Sequence, residues 1–186
     1  MTLKKNEAVL KNVRLSYVNV FEPRQNSDDQ KPKYSVSIII PKTDQATIAQ
    51  VEKAVKQALE DGKDRKFNGK IPSVKALKLP LRDGDEERDD EAYADSMFLN
   101  ANSIRKPDLV DGALNPVLDP DEIYSGIYAN VLVSFYAYSV NGNRGVAVGL
   151  QAIQKVRDGQ ALGGVATKAG EAFDLIETET ENYDFL

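Results

Sequence analysis

The sequence predicts a mainly β fold: a partly open β-barrel with one main helix, long loops and a disordered acidic C-terminal tail. Short segments in which apolar and polar residues alternate recur along the 186-residue chain. Only residues 44–62 show the apolar spacing of an amphipathic helix. Asn141-Gly142 separates two long alternating runs, which is a strong signal for a β-hairpin with a two-residue turn.

The remaining elements are predicted from the same periodicities. The predicted strands cover residues 7–21, 34–40, 71–81, 97–104, 123–138 and 145–156. A change of parity near Val18 in the first strand indicates a bulge. The predicted helix begins after a cap at Thr43 or Asp44 and ends at Gly62. Residues 107–122 contain three prolines and are predicted to form a long irregular connection.

Charge is distributed unevenly along the chain, although the net charge is only -5. Residues 83–95 hold eight acids and one base, and residues 171–186 hold six acids and no base. Without these segments the chain keeps 15 acids and 23 bases, a net charge of +8. A basic body of this kind is compatible with a polyanionic partner. The alternative is an ordinary domain that carries two solvated acidic stretches. We therefore predict a domain at 1–168, which includes a mobile acidic loop at 83–95, and an acidic tail at 169–186.

Composition excludes several classes of function. The chain has no cysteine and no histidine, so it lacks thiolate nucleophiles, cysteine zinc ligands and the commonest general base. It has no apolar run of transmembrane length and no signal-peptide pattern, which predicts a soluble, cytoplasmic protein. We expect no enzyme activity, no cofactor and no metal site. A metal-dependent nuclease built on the carboxylates of residues 83–91 remains an alternative, because two-metal chemistry needs only Asp and Glu.

The predicted hairpin separates an apolar face from a tyrosine-rich face, because successive strand residues point to opposite sides. The apolar face, predicted to lie in the core, consists of Ile127, Ala129, Val131, Val133, Phe135 and Ala137. The other face carries four tyrosines, which are Tyr124, Tyr128, Tyr136 and Tyr138.

Small residues oppose two of these tyrosines. Folding the hairpin at Asn141-Gly142 places Tyr138 opposite Gly145 and Tyr136 opposite Ala147. Rings in such positions keep an uncovered surface on which a nucleobase can stack, and each stacked base contributes roughly 1–3 kcal/mol whatever its identity. The pattern is therefore compatible with a surface that binds single-stranded DNA. The alternative is that the tyrosines only cover a half-solvated sheet, since tyrosine is a good strand former.

Five cations near this face are the predicted phosphate contacts. They are Arg144 at the hairpin turn, Arg105 and Lys106 beside a proline, and Lys78 and Arg82 on and just after the predicted strand 71–81. Together with the four tyrosines they form the predicted DNA-binding set. Each cation is also compatible with an ordinary exposed loop position.

The C-terminal residues have the composition of a linear interaction element. Tyr183, Asp184 and Phe185 place aromatic rings among acids, so that a ring can enter a partner's pocket while the carboxylates meet a basic rim. The same tail can fold onto the protein's own basic groove when DNA is absent, an electrostatic competition that salt would weaken. A tail that only increases solubility is the remaining alternative.

An ordered set of short motifs also resembles a known family. The motifs are Asn102-Ser103 with Pro107, Ile123-Tyr124-Ser125-Gly126, Phe135-Tyr136-Ala137-Tyr138, residues 143–151 and residues 159–164. Together with residues 10–17 and 33–41 they are similar to a family of phage proteins whose characterised members are OB-fold, single-stranded-DNA-binding replication proteins. The resemblance covers most of residues 7–165.

This resemblance implies an OB-fold-like domain that coats single-stranded DNA, independently of sequence, during phage replication and recombination in the cytoplasm of a bacterial host. It also implies that the tail contacts a phage or host polymerase, helicase or recombinase. A non-catalytic virion or adaptor protein is the alternative, and a homodimer is one oligomeric state that the sequence leaves open.

Overall fold

The computed structural model describes residues 2–163 and 169–176. Its strands are β1 (Glu7–Arg24), β2 (Lys33–Pro41), β3 (Arg82–Asp83), β4 (Ser96–Ser103), β5 (Asp108–Val110), β6 (Tyr128–Val140) and β7 (Asn143–Arg157). Its α-helices are α1 (Gln45–Lys66), α2 (Gly84–Glu87) and α3 (Ala169–Ala172). Short 3-10 turns lie at Val74–Ala76, Glu91–Tyr93 and Pro120–Glu122.

Strands β1, β2, β4, β6 and β7 form a closed barrel. β1 pairs antiparallel with β2 and with β6, β2 pairs antiparallel with β4, and β6 pairs antiparallel with β7. A parallel pairing of Asn102 in β4 with Gly149 in β7 completes the circle. β3 extends the sheet beside β4, and β5 runs parallel to β7. The predicted mainly β fold with one main helix is confirmed, with the strand arrangement of an OB-type barrel.

Alternate residues of each strand point into the barrel, and these inward residues are apolar and form its core. Ile127 and the odd-numbered residues 129–137 of β6, all predicted to face inward, are buried. Val36, Ile38 and Ile40 of β2 belong to the same core. α1 covers one end of the core with its predicted apolar stripe, whose buried members are Ile48, Val51, Val55 and Ala58.

The first strand bends where its sequence pattern changes parity. The register between β1 and β2 shifts between Ser16 and Asn19, which confirms the predicted bulge. Tyr17 lies inside this bulge with a φ of +46°, in the left-handed region that bulky residues rarely adopt. The bulge leaves the Tyr17 side chain on the outside of the barrel, with 56% of its surface exposed.

α1 begins as predicted but ends later. The Asp44 carboxylate caps the helix by accepting hydrogen bonds from the backbone N–H of Thr47 at 3.2 Å and from its hydroxyl at 2.7 Å. The prediction that Gly62 ends the helix is wrong, because α1 continues to Lys66. Gly62 instead allows close packing on β6, since a Cβ at this position would lie 2.5 Å from the Cβ of Ala137.

Residues 71–81 do not form the predicted strand. They contain the 3-10 turn Val74–Ala76, and Lys78 makes one isolated bridge to Gly145 of β7. Pro72 and Pro80 explain the difference, because proline supplies no backbone N–H to a strand ladder.

The strand predicted at 123–138 begins only at Tyr128. Gly126 turns the chain before the strand, with a φ of +121°. The backbone of Gln160 packs directly on this glycine, so that a Cβ there would lie 2.2 Å from the Gln160 carbonyl oxygen. Tyr124 therefore lies outside the strand whose parity was used to place it.

Residues 83–95, predicted as a mobile acidic loop, are instead folded onto the outside of the barrel. They contain α2 and the 3-10 turn Glu91–Tyr93. Tyr93 is fully buried, where its hydroxyl lies 2.9 Å from Ser37 Oγ and its ring packs edge-on against Phe98 with centroids 5.2 Å apart. The charge pattern of this segment is typical of a solvated loop, so the sequence did not indicate that the buried Tyr93 fixes it to the barrel.

The predicted tail is described only at its beginning. Residues 169–176 contain the short α3, followed by exposed Phe173, Leu175 and Ile176. The residues predicted to bind a partner, Tyr183, Asp184 and Phe185, lie outside the described residues. In the part of the chain that the structure describes, no helix is long and apolar enough to cross a membrane.

Replacing Gly145 with alanine is expected to destabilise the fold. A Cβ on Gly145 would lie 2.0 Å from the carbonyl oxygen of Lys78, a backbone atom that cannot move without breaking the bridge between the two segments. We expect Gly145→Ala to lower the free energy of unfolding by about 1–3 kcal/mol in urea titrations. Gly112→Ala is the matched control, because a Cβ there meets no atom within 4 Å. Equal stability of the two variants would contradict this packing.

Candidate nucleic-acid interface

Two of the predicted tyrosines line a groove on the outside of the barrel. Tyr136 and Tyr138 point outward from β6, and the groove beside them has a volume of about 480 Å³. We call it the tyrosine groove. Its polar and charged lining residues are Lys33, Lys78, Arg82, Asn100, Asn102, Tyr136 and Tyr138. The lining contains three cations and no acid, which gives an apolar and aromatic surface a positive rim.

The hairpin has the register that the sequence predicts. Tyr138 pairs with Gly145 and Tyr136 pairs with Ala147. Tyr136 is 47% exposed, and a Cβ on its diagonal neighbour Gly149 would lie only 3.8 Å from the ring. Small residues of β7 therefore leave the Tyr136 ring accessible.

The surface beside Tyr138 is less open than predicted. Gly145 is buried, because the backbone of Lys78 lies across it. The Lys78 N–H donates to the Arg144 carbonyl at 2.8 Å, and the Val146 N–H donates to the Lys78 carbonyl at 3.1 Å. Sequence parity could not reveal this cover, since the covering segment lies far away in the chain. It brings a lysine to the edge of the groove.

Neighbouring groups hold the two cations predicted on this side of the groove. Lys78 Nζ donates to the side-chain oxygen of Asn143 at 2.8 Å. The Arg82 guanidinium forms a bidentate pair with Glu87, with distances of 2.7 and 3.2 Å, and lies 5.2 Å from the Phe98 ring centroid. Arg82 is thus oriented but partly neutralised, whereas Lys78 makes no salt bridge with the residues that the structure describes.

A second groove of about 340 Å³ continues the surface along β7. Arg105 and Lys106 line it together with Ser134 and Gly149. Lys106 Nζ lies 5.5 Å from the ring centroid of Phe21. The two grooves meet where β4 and β7 pair, because Asn102 lines the first and Gly149 lines the second. Six of the nine predicted DNA-binding residues therefore lie along one surface.

A model of a known protein family matches nearly the whole chain. Residues 6–186 match the model of the family described as "Enterobacter phage Enc34, ssDNA-binding protein". The chain belongs to this family. A relative from Acyrthosiphon pisum secondary endosymbiont phage 1, "Putative protein p50", is 34% identical over 176 residues, which cover 92% of this chain and 95% of the relative.

Solved structures of phage single-stranded-DNA-binding proteins share the fold of this family member. The protein of bacteriophage Enc34, in complex with ssDNA, matches with a TM-score of 0.75 at 21% identity, over 86% of this chain and 91% of that one. The single-stranded-DNA-binding protein of bacteriophage T7 matches with a TM-score of 0.58 at 15% identity, over 94% of this chain and all of that one. The predicted family and the OB-fold-like barrel are confirmed.

Tyr128 lies at the far end of β6 in this family member, away from the tyrosine groove. The eight residue-to-residue steps from Tyr128 to Tyr136 correspond to about 26 Å of extended strand. The Arg157 guanidinium covers the Tyr128 ring, 3.6 Å from its centroid, and Arg14 lies 5.7 Å away. This ring already has stacking partners, which corrects its predicted grouping with Tyr136 and Tyr138.

Tyr124 is also separated from the tyrosine groove. Its hydroxyl lies 3.1 Å from Asp158 Oδ1 and 3.0 Å from the Gly159 carbonyl oxygen, and its ring packs against the core. Lys155 lies 5.7 Å from the ring centroid and lowers the pKa of Asp158 by a direct hydrogen bond. Tyr124 therefore holds the end of β7.

Arg144 lies at the exposed hairpin turn and is not among the residues that line the tyrosine groove. Conversely, the sequence prediction missed Lys33, Asn100 and Asn102, which do line it. Asn100 and Asn102 are two positions apart in a strand, so their alternation was a usable signal for an outward polar face. Nothing local distinguishes Lys33, which enters the groove because β2 lies next to β4.

Two carboxylates of the alternative nuclease hypothesis bind a lysine. Lys42 Nζ lies 2.9 Å from Asp83 Oδ1 and 2.6 Å from Asp85 Oδ2. Hydrogen bonds from Lys42 lower the pKa of both carboxyl groups and raise the pKa of the lysine. Within residues 2–163 and 169–176, no group of three or more acidic side chains is arranged to hold a metal ion.

Lys42→Met is expected to lower the thermal stability at neutral pH, because it removes the cation shared by Asp83 and Asp85. Both carboxyl pKa values lie below the ordinary value of 3.8 in the folded state, so their stabilising effect is present above that pH and is lost as the pH falls through the lowered values. Thermal unfolding followed by circular dichroism should therefore show a difference from the native chain that shrinks in acid. Lys75→Met, at an exposed lysine, is the control. A difference that persists in strong acid would contradict the ion-pair origin.

Proposed function

We propose that this protein binds single-stranded DNA independently of sequence and acts, without catalysis, in phage DNA replication and recombination. The observation that carries the proposal is the tyrosine groove: exposed Tyr136 beside Lys33 and Lys78, on a lining without acids. The family of the chain and the solved barrels that share its fold support the same ligand.

Base stacking is the main interaction in this proposal. An exposed tyrosine ring offers a flat surface to any of the four bases, so affinity does not depend on sequence. The strand passes Tyr136 and Tyr138 with its bases toward the rings, and β7 contributes the small residues Ala147 and Gly149 beneath them. Duplex DNA presents its bases only at their edges and fits such a surface poorly.

Phosphate groups are bound by the cations around the two grooves. Lys33, Lys78 and Arg82 surround the tyrosine groove. Arg105 and Lys106 add two cations to the second groove, whose lining also includes one acid, Asp108. Each neutralised phosphate releases counterions, so affinity decreases with salt. The side-chain amides of Asn100 and Asn102 lie between the two sets of cations and can hydrogen-bond sugar, phosphate or base atoms.

Strands β2 and β4 occupy the positions that bind oligonucleotides in OB-type barrels, where the second and third barrel strands form the binding face. Asn100 pairs with Ser37 and Asn102 with Ser35 across these strands, and all four side chains share the outer face. The proposed DNA path therefore follows the general geometry of the fold.

The acidic tail is proposed to bind replication or recombination proteins through Tyr183, Asp184 and Phe185. Its charge suits both a basic partner and competition with DNA for the protein's own cations, because all ionisable residues from 171 to 186 are acids. A polymerase, a helicase or a recombinase is the class of partner that we propose for the tail.

Tyr136→Ala and Tyr138→Ala are expected to weaken binding of labelled oligo-dT by about 1–3 kcal/mol for each lost stack. Tyr136, the more exposed ring, should give the larger effect. Fluorescence titration at two salt concentrations checks this, with a duplex of matched length as the comparison ligand. The paired change Lys4→Ala, Lys5→Ala is the control, since these exposed lysines line neither groove. Equal losses from the tyrosine and lysine variants would contradict stacking as the main interaction.

Deletion of residues 171–186 is expected to leave oligo-dT affinity unchanged or to increase it, most at low salt, because the deletion removes six acids that compete with phosphate. The same deletion should abolish binding of the partner protein in a pull-down with purified replication proteins. Weaker DNA binding after the deletion would refute the competition between tail and DNA.

A further inference from the structure

Arg88 has an unusual environment within the acidic segment 83–95. It is the only base among eight acids, yet it makes no salt bridge within the part of the chain that the structure describes. Its guanidinium carbon lies 5.0 Å from the ring centroid of Phe98, 5.4 Å from that of Tyr93 and 5.6 Å from that of Tyr17. Its Nε is buried without a hydrogen-bond partner. Aromatic rings therefore hold this cation where acids would be expected.

The neighbouring acids are used to fold the segment. The Asp83 carboxylate accepts from the Asp85 N–H at 2.9 Å, and the Asp85 carboxylate accepts from the Asp95 N–H at 2.9 Å. Glu87 pairs with Arg82, and Asp85 and Asp83 pair with Lys42. These contacts fix the backbone around Arg88, and none of the described carboxylates pairs with its guanidinium.

Arg88 lies at a pocket of about 340 Å³ on the outer face of β2 and β4. The pocket is lined by one cation, one tyrosine, amides, hydroxyls and small apolar groups, and by no acid. Its lining residues are Tyr17, Asn26, Ser35, Val36, Ser37, Arg88, Asn100, Ala101 and Asn102. Asn100 and Asn102 also line the tyrosine groove, so the two sites are adjacent across β4.

Tyr17 contributes an exposed ring held in a costly conformation. It is 56% exposed and has a φ of +46° in the bulge of β1. A bulky residue in the left-handed region is strained, and such strain persists where the surrounding structure imposes it, often at ligand sites. The bulge places the Tyr17 ring within reach of Arg88, at the rim of the pocket.

We propose that Tyr17 and Arg88 form a second nucleotide subsite, which rests on the proposed binding of single-stranded DNA. One base stacks on the Tyr17 ring, and the Arg88 guanidinium, which lines the pocket, donates to the adjoining phosphate. The bound strand passes over Asn100 and Asn102 between this subsite and the tyrosine groove. The acidic segment 83–95 is thus a DNA-binding element, because it folds to deliver one arginine to the barrel face.

Two substitutions test this subsite in the full-length chain. Tyr17→Asn removes the ring and keeps a residue that tolerates the left-handed backbone, and Arg88→Gln removes the charge. Each should weaken binding of an oligo-dT long enough to cross both sites by roughly five- to hundredfold. Each should have little effect on an oligo-dT so short that it occupies the tyrosine groove alone. Arg65→Gln, in the last turn of α1 and outside the grooves, is the control.

The measurements separate this inference from the proposed function. Thermal unfolding of each variant reports whether Arg88→Gln disturbs the packing on Tyr93 and Phe98; if it does, Tyr17→Asn alone decides, because the Tyr17 side chain is largely exposed. Native affinity for long and short oligo-dT in folded Tyr17→Asn would overturn the subsite and leave the proposed function intact. Absence of oligo-dT binding by the native chain would overturn the proposed function itself.

Discussion

Asn102 of β4 and Gly149 of β7 pair in parallel, and this contact closes the barrel on which every proposed binding group depends. Without it, β4 would be an open edge beyond its short pairing with β3, and the asparagines of β4 would not face the tyrosines of β6 across one surface. Gly149 suits this position because a Cβ there would lie 2.6 Å from Ser134 Oγ. The closure joins the two grooves at one point and brings together cations from distant parts of the chain.

The acidic residues have a structural role that their number conceals. In segment 83–95 the carboxylates cap backbone N–H groups and pair with Lys42 and Arg82. Tyr93 anchors the same segment in a small apolar cluster with Ile39 and Phe98. A segment with eight acids thereby lies against a surface that we propose binds a polyanion, and it presents an arginine there.

The tyrosines show how far a sequence pattern reaches. Parity correctly placed Tyr136 and Tyr138 on the outer face of β6, and the register with β7 was predicted pair by pair because the turn at Asn141-Gly142 fixes it. Parity equally placed Tyr128 outside, but it could not show that Arg157 would cover that ring. The sequence analysis assigned no binding role to Tyr17. Its exposure depends on the geometry of the bulge, whereas the sequence pattern predicts only the position of the bulge.

Local sequence signals were sufficient to predict the hairpin, the amphipathic helix with its Asp44 cap, the inward apolar faces and the family likeness. These depend on periodicity, turn chemistry and capping, which involve residues close together in the chain. The three-dimensional fold was needed to show which surface the elements form, where α1 ends, how residues 83–95 fold and which cations pair with acids. Those outcomes depend on close approaches between distant segments, such as Gly62 with Ala137 or Lys78 with Gly145, and no local pattern encodes such contacts.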